Sequence, residues 1–444
     1  MLNIKSISSI LALSVLVGCS TTVTNLDTND TTQILSSKVT GDFVVDYHNQ
    51  LKRDNEEDPM QALPAQEIEG SKATSLPKSV KTKQLTYLTY EALDNNLYRD
   101  LNRVLNTLEL IGSNDNINFV AQTDSWKENN TARYYLTSDK DMDYVKSQYM
   151  PLGSDSENSG GADVYKNAVN WGFSTYPAKM NWLNISTHGM GFASINSDGN
   201  PESDLSIIEF AQATKDGLKS KKLDLISFDA CLMATVEVAS ELKDVSNIMV
   251  GSEDSTFYWG YGYYKTFSKV AQDPNMSGEE IARSLVLDVN NKGASNQTFT
   301  ISATNLKKID LLEVEVDKLS KALRSALPKH REDILRALEK SKDFVNAEGV
   351  PFRDLNRLIS LIKENVNDND VKSACDGINN ALYKKGVILL SRQSKLEKDL
   401  GRGLSIYTPV SGKVSKLYRQ TKFAKNTQWD EFLVDLNATI KPEQ

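Results

Sequence analysis

The sequence predicts an α/β protein with a mainly parallel sheet covered on both faces. Three observations predict it. Short apolar runs of strand length alternate with longer stretches in which apolar residues recur every three or four positions. Two of the strand-like runs end in reactive residue types: Trp182, Leu183, Ile185 and Thr187 lead into His188-Gly189-Met190-Gly191, and Leu223, Leu225, Ile226 and Phe228 lead into Asp229-Ala230-Cys231. The bulk composition, 25% charged and 39% apolar over 444 residues, is that of a globular chain long enough for a large core and two domains.

Taken in order, residues 20 to 83 are rich in Thr, Asn, Asp and Lys, carry Pro59, Pro64 and Pro77, and lack apolar periodicity. They are expected to form a tether. A strand over residues 85–90 opens the folded part. Leu93, Leu97, Leu101, Val104, Leu105 and Leu108 then recur at helical spacing, with Asp94 as the expected N-cap. Strands follow at 117–123 and 134–136, then a Gly- and Ser-rich loop at 153–161 and a helix through Val164, Ala168 and Trp171. The histidine strand comes next, then a turn at Asp198-Gly199-Asn200-Pro201 and an amphipathic helix over 205–218. After the cysteine strand, Leu232, Val236 and Ala239 continue at helical spacing, and residues 248–251 form another strand.

Residues 254–275 read as an aromatic loop with Phe257, Tyr258, Trp259, Tyr261, Tyr263 and Tyr264, either a satellite apolar cluster or a cleft wall. A strand is expected at 299–303. Residues 306–382 are largely helical and charged, with late strands at 386–391 and 404–408 and a closing helix around Phe432 and Leu433. The expected organisation is a leader at 1–18, a tether at 19–83, a catalytic core at 84–305, and a mostly helical region at 306–444 that returns late strands to the core.

The net charge is −8 and no long basic run is present, so a nucleic-acid partner is not expected. The three histidines and three cysteines lie far apart and none has zinc-ligand spacing, so no metal site is read from the residues. Lys5, the apolar stretch 7–17 and Leu16-Val17-Gly18-Cys19 resemble a bacterial lipoprotein leader, too short to span a bilayer. The resemblance implies cleavage before Cys19 and lipid on it, anchoring the chain in the cell envelope. Ser20, in place of Asp, points to the outer membrane. Cys375 then remains beside Cys231, and a bond between the two would silence any thiol chemistry.

Cys231 is expected on a turn between a buried strand and a helix, at the carboxyl edge of the sheet where sites gather. The helix dipole would there favour a thiolate. Each residue also has an ordinary reading: a buried Cys is often a small hydrophobe, a His before Gly can be a satisfied turn residue, and Asp229 could cap a helix. Side by side, the imidazole and the thiol are the minimum for nucleophilic acyl transfer.

The blocks Asn184-Ile185-Ser186-Thr187-His188-Gly189 and Ser227-Phe228-Asp229-Ala230-Cys231-Leu232-Met233 resemble the clostripain family of cysteine peptidases. Asp94-Asn95-Asn96-Leu97, Trp171 followed by Tyr176-Pro177-Ala178, and Gly403-Leu404-Ser405-Ile406-Tyr407 resemble the family too, so the likeness runs from about residue 85 to 435. It implies a caspase-like three-layer α/β/α sandwich and peptide-bond hydrolysis, with Cys231 as nucleophile, His188 as acid and base, and the backbone N–H groups of Gly189 and Cys231 as oxyanion hole. Asp229, two before the nucleophile, would bind Arg or Lys of the substrate, with Glu253 and Asp254 as further pocket candidates. The partners implied are peptide substrates with Arg or Lys at the cut bond, bound by a monomer. No cofactor is required by the residues; calcium dependence is known in the family, but no calcium motif is present. The alternatives are the same fold with a Gly- or Asn-directed pocket, and a non-catalytic surface lipoprotein that uses a peptidase-like fold for binding.

Overall fold

The computed structural model describes residues 67 to 438, apart from 80, 99, 126–130, 142, 154–156, 200–201, 220, 257–260, 262, 289–298, 342–343, 345–349, 395–400 and 411–412. The leader with Cys19 and Ser20, and the aromatic residues Phe257, Tyr258 and Trp259, lie outside the described residues.

Strand β1 (Glu67–Ile68) is followed by β2 (Lys83–Leu93), α1 (Asp100–Glu109), β3 (Ile117–Ser125), β4 (Ala132–Tyr135), β5 (Tyr144–Val145) and β6 (Tyr149–Pro151). Helix α2 (Ala162–Thr175) leads to β7 (Ala178–Ser186), the hairpin β8 (Ile195–Gly199) and β9 (Glu202–Leu205), and α3 (Ile207–Leu218). Then come β10 (Leu225–Asp229), α4 (Val236–Leu242), β11 (Ile248–Gly251), α5 (Tyr263–Gln272), α6 (Gly278–Leu287) and β12 (Thr300–Asn305). The C-terminal region holds α7 (Ile309–Lys340), β13 (Phe352–Asp354), α8 (Leu355–Asn365), α9 (Asn369–Asn379), β14 (Ile388–Gln393), β15 (Ser405–Tyr407), α10 (Lys422–Asn426) and α11 (Trp429–Ala438).

Nine strands form the central sheet in the order β14-β12-β11-β10-β7-β2-β3-β4-β6. The five in the middle, β11, β10, β7, β2 and β3, are parallel. Antiparallel β12 and β14 close one edge, and β4 and β6 the other. Both faces are apolar because each strand sends alternate residues to opposite sides. Leu88, Tyr90 and Ala92 of β2 join a core with Tyr165 and Val169 of α2 and Phe210 of α3. Leu85, Tyr87 and Leu93 join Leu101 and Leu105 of α1 and Phe267 of α5 on the other face. The result is the expected three-layer sandwich with a mainly parallel sheet. Chain order reverses between β2 and β7, and the loops leaving their carboxyl ends part there, which opens a crevice in sheets of this kind.

Several local expectations change. Residues from 67 on, placed in the tether, already pair with the core through β1 and β5 and a bridge from Lys72 to Tyr149. Helix α1 starts at Asp100, so Asp94 is not its cap; β2 runs on to Leu93 in register with Ser125. Asn95 makes the turn instead, accepting from Leu97 N at 2.9 Å and donating to Ala92 O at 3.0 Å. Residues 195–199 and 202–205, expected to hold only a turn before the helix, pair as the β8–β9 hairpin. The stretch from 263 to 272, expected as loop, is helix α5. Strand β15 does not enter the main sheet but pairs with β13 and bridges Thr235.

Candidate active site

Strand β10 is buried along Leu225 to Phe228 and delivers Asp229 at its carboxyl end. Ala230 and Cys231 then turn off the sheet, and Leu232 adopts a left-handed φ of 59°. The chain does not enter a helix at this point. Ala234 N donates to Ser252 O at 2.7 Å and Ala234 O accepts from Ser405 N at 2.9 Å, which keeps the segment extended. Helix α4 begins only at Val236, capped by Thr235. Cys231 therefore lies outside the first turn of the helix, beyond the useful range of its dipole. Its sulfur is instead approached by Thr256, whose N–H points at Sγ from 3.3 Å with Oγ1 at 3.7 Å. Cys375 is a free, buried cysteine, so the Cys231–Cys375 bond is not formed.

Strand β7 runs beside β10 with Ser186 in register with Asp229. One residue on, Thr187 N donates to Asp229 O at 3.3 Å, which holds the two exits together. His188 follows, only 3% exposed, with Nε2 2.5 Å from Asn96 Oδ1. Gly189 is pressed against the cysteine turn: a Cβ there would lie 2.6 Å from Cys231 O and 2.9 Å from Met233 Sδ. The His-Gly and Asp-Ala-Cys segments are thus brought together. Gly189→Ala should push the two exits apart, lowering thermal stability by about 1–3 kcal/mol as overpacking does, with a loss of any activity of the site. Denaturant titration of the variant checks it, and wild-type stability would contradict this packing.

Asp229 is partly buried, and its carboxyl is pushed up to about 7. Burial is the main cause; the Arg103 guanidinium opposes it and Asp100 adds to it. Thr235, not Asp229, caps α4, which leaves the Asp229 carboxyl available for another role. Tyr261 and Tyr263 are buried in the core on the same face of the sheet, and both feel the charge of Asp229. Tyr263 also donates to Asn184 Oδ1 at 3.0 Å. Tyr261 and Tyr263 are thus core that also flanks Asp229, whereas Tyr264 is exposed.

The other pocket candidates part company. Glu253 is buried against Asp354 and the Gly403 backbone of the C-terminal region, and its carboxyl is raised by burial and by Asp354. Asp254 stays beside the cysteine turn: its carbonyl accepts from Leu232 N at 3.2 Å, while its Oδ1 accepts from Ser255 N at 2.7 Å.

Two residues of the site carried no role in the sequence reading. Asn96 holds the imidazole. Glu91, near the end of β2, sits in register with Ser186, the residue that also pairs with Asp229. Its carboxyl is pushed up to about 7, mainly by burial, with hydrogen bonds from Thr89 and Ser186 opposing the shift. A polar Thr89-x-Glu91 alternation at the end of an otherwise apolar strand was the available signal.

A family model described as the clostripain family matches residues 89–436. The chain belongs to the clostripain family. Its enzyme class is that of a cysteine endopeptidase. Clostripain of Hathewaya histolytica is 23% identical over 426 residues, 80% of each chain. A secreted C11 cysteine protease from Bacteroides thetaiotaomicron, solved with an irreversible peptide inhibitor, aligns with a TM-score of 0.58 at 21% identity, covering 78% of this chain and all of the other. An inactive zymogen C11 protease from Parabacteroides distasonis aligns with a TM-score of 0.58 at 18% identity, over 80% of this chain and 99% of its own. Both likenesses are of fold. The clostripain-family fold accounts for the sheet order and for the placing of the His-Gly and Asp-Ala-Cys segments on adjacent strands.

Proposed function

We propose that this clostripain-family chain is a lipid-anchored endopeptidase that cuts after Arg or Lys through Cys231 and His188. The observation that carries the reading is the packing of His188-Gly189 against Ala230-Cys231 at the carboxyl ends of neighbouring strands, with Asp229 at the base of the turn. The reduced Cys231 sulfur attacks the scissile carbonyl carbon, with its proton passing to His188. The carbonyl oxygen becomes an oxyanion, met by the N–H groups of Gly189 and Cys231. His188 then gives the proton to the leaving amine as the C–N bond breaks, leaving a thioester on Cys231. Water attacks that thioester with His188 as base, releasing the acid and the thiol. Asn96 orients the imidazole.

Arg or Lys in the substrate is matched by Asp229, a carboxylate at the end of a buried strand. Residues 189–214 hold no Lys or Arg, so a basic-directed enzyme cannot cut itself there; Lys215 to Lys222 are the nearest sites.

The test is hydrolysis by the full chain in detergent, with reductant, of fluorogenic peptides ending in Arg, Lys, Asn, Asp or Gly. Cleavage confined to Arg and Lys is expected. Cleavage after Asn or Gly would move the pocket assignment, and no cleavage by folded, reduced chain would favour a binding lipoprotein. The anchor has its own test. Cys19→Ser should move the protein from the membrane to the soluble fraction and end its labelling by radioactive fatty acid. Unchanged fractionation would remove the lipid from the proposal.

A further inference from the structure

The cysteine turn is held from two sides, and the two sides meet at a pair of carboxyl groups. On one side lies the segment that leaves β11. Ser252 O accepts from Ala234 N at 2.7 Å, Asp254 O accepts from Leu232 N at 3.2 Å, and Thr256 N points at Cys231 Sγ from 3.3 Å. On the other side lies β15, whose Ser405 N donates to Ala234 O at 2.9 Å. Ser405 is in register with Asp354, the last residue of β13. Glu253, between Ser252 and Asp254, packs its carboxyl against Asp354. That contact closes a ring running from Ala234 through Ser252, Glu253, Asp354 and Ser405 back to Ala234.

Glu253 and Asp354 are both buried, at 1% exposure each. Two ionised carboxylates cannot share a dry contact, so one of them keeps a proton. The groups around the pair decide which. Asp354 Oδ1 accepts from Arg357 N at 2.6 Å and its Oδ2 from Arg402 N at 2.7 Å. It also caps the N-terminus of α8, where the helix dipole favours negative charge. The Arg402 guanidinium favours that charge further. Glu253 has the Gly403 backbone in favour of its charged form and Asp254 against it. Tyr383 borders the pair as well, its phenol raised by burial and then by Asp354 and Glu253. The proton therefore resides on Glu253, whose carboxyl lies well above the ordinary range through burial and the adjacent Asp354.

We propose that Glu253 is a positioning residue for the Cys231 thiol: as a neutral acid it donates to the Asp354 carboxylate and so locks the cysteine turn between the β11 exit and β15. An O–H donor on a carboxylate makes a strong, short bond. Glu253 acts through Ser252 and Asp254, not on the substrate. Its part in catalysis rests on Cys231 being the nucleophile; the bond to Asp354 does not. Loss of the proton would set two charges face to face and open the ring. The folded chain holds this proton well above the ordinary value of 4.5. Its contribution to stability is thus full below 4.5 and is lost as pH rises through the folded value.

The experiment uses the full chain in detergent with two substitutions. Glu253→Gln keeps a donor for Asp354 and an acceptor for Gly403 but cannot ionise. Glu253→Leu removes the bond without burying a charge. Melting is measured from pH 5 to pH 9 in the Cys231→Ala background, which is free of self-digestion. The melting temperature of the Glu253→Gln chain relative to its parent should climb by several degrees over that range, and a constant difference would overturn the shared proton. In chains that keep Cys231, Glu253→Leu should lower kcat for the Arg peptide by at least about 10-fold with KM within about 3-fold, as misplacing a reacting group does. Glu253→Gln should restore that kcat at pH 6. Alkylation of Cys231 by iodoacetamide, followed by mass spectrometry without substrate, should be several-fold faster in Glu253→Leu, because a loosened turn exposes the sulfur. Wild-type kcat and alkylation in Glu253→Leu would overturn the positioning role. A chain that cuts no peptide fails the proposed function, while alkylation still judges this one. If Glu253→Leu does not fold by circular dichroism, the ratio of wild-type to Glu253→Gln alkylation rates should rise from pH 6 to pH 9, and a flat ratio overturns the role.

Discussion

Cys231→Ala is expected to lower kcat/KM for the preferred Arg or Lys peptide by at least about 10³-fold, leaving the fold intact. Removing the nucleophile of a hydrolase that works through a covalent intermediate typically leaves only the contribution of binding and the oxyanion donors. Cys231 is small and 1% exposed, and Thr256 approaches its sulfur. The change should therefore cost about 1 kcal/mol of stability, as loss of a modest buried contact does. Steady-state kinetics with reductant, paired with a thermal melt, separates the two effects. Activity within 10-fold of wild type would reject Cys231 as nucleophile. His188→Ala should fall nearly as far, since the two act as a unit.

Asp229→Asn is expected to cut kcat/KM for Arg peptides by on the order of 100-fold, the scale of about 3 kcal/mol for removing one partner of a desolvated ion pair. The loss should be largest for Arg and Lys and small for any neutral peptide the enzyme turns over slowly. Acidity gives a second signature. The Asp229 carboxyl is raised to about 7 by burial, so in the substrate-free enzyme it is mostly protonated below that pH and cannot pair with a guanidinium. Activity on Arg peptides should rise as pH climbs through about 7, and the Asn variant should lack that part of the rise. The same shift has the opposite sign for folding. The folded chain keeps the proton to about 7, whereas the ordinary value is 3.8, so this group's contribution to stability declines as pH rises between them. A pH profile of the variant superimposable on wild type would remove Asp229 from the pocket.

The layered architecture was legible because its strands and helices alternate and each carries its own apolar pattern. The cysteine and histidine segments were legible for the same reason: each follows an apolar strand, and parallel strands deliver their loops to one edge. What failed to read was set by contacts distant in sequence. Leu232, Val236 and Ala239 fit helical spacing, yet pairing with Ser252 and Ser405 keeps residues 232–235 out of the helix. Asp94 looked like a helix cap because Leu93 and Leu97 continue the apolar rhythm, but β2 claims Leu93 through β3. The β8–β9 hairpin is built from Asn, Ser, Asp and Glu, with little of the β-branched signal that marks strands. Glu253 was placed by nearness to a strand end, and the C-terminal region then covered it.

The strand order also decides what a nick would do. A single cut between residues 219 and 222 would divide the chain after α3. The upstream piece would keep β7 and the downstream piece β10, which pair over five residues in the middle of the sheet. Each piece would also hold part of an apolar core that spans both, the larger part downstream. The severed molecule should travel as one particle in gel filtration and separate into two bands only in denaturant, so maturation of that kind would change the covalent chain without releasing a subunit.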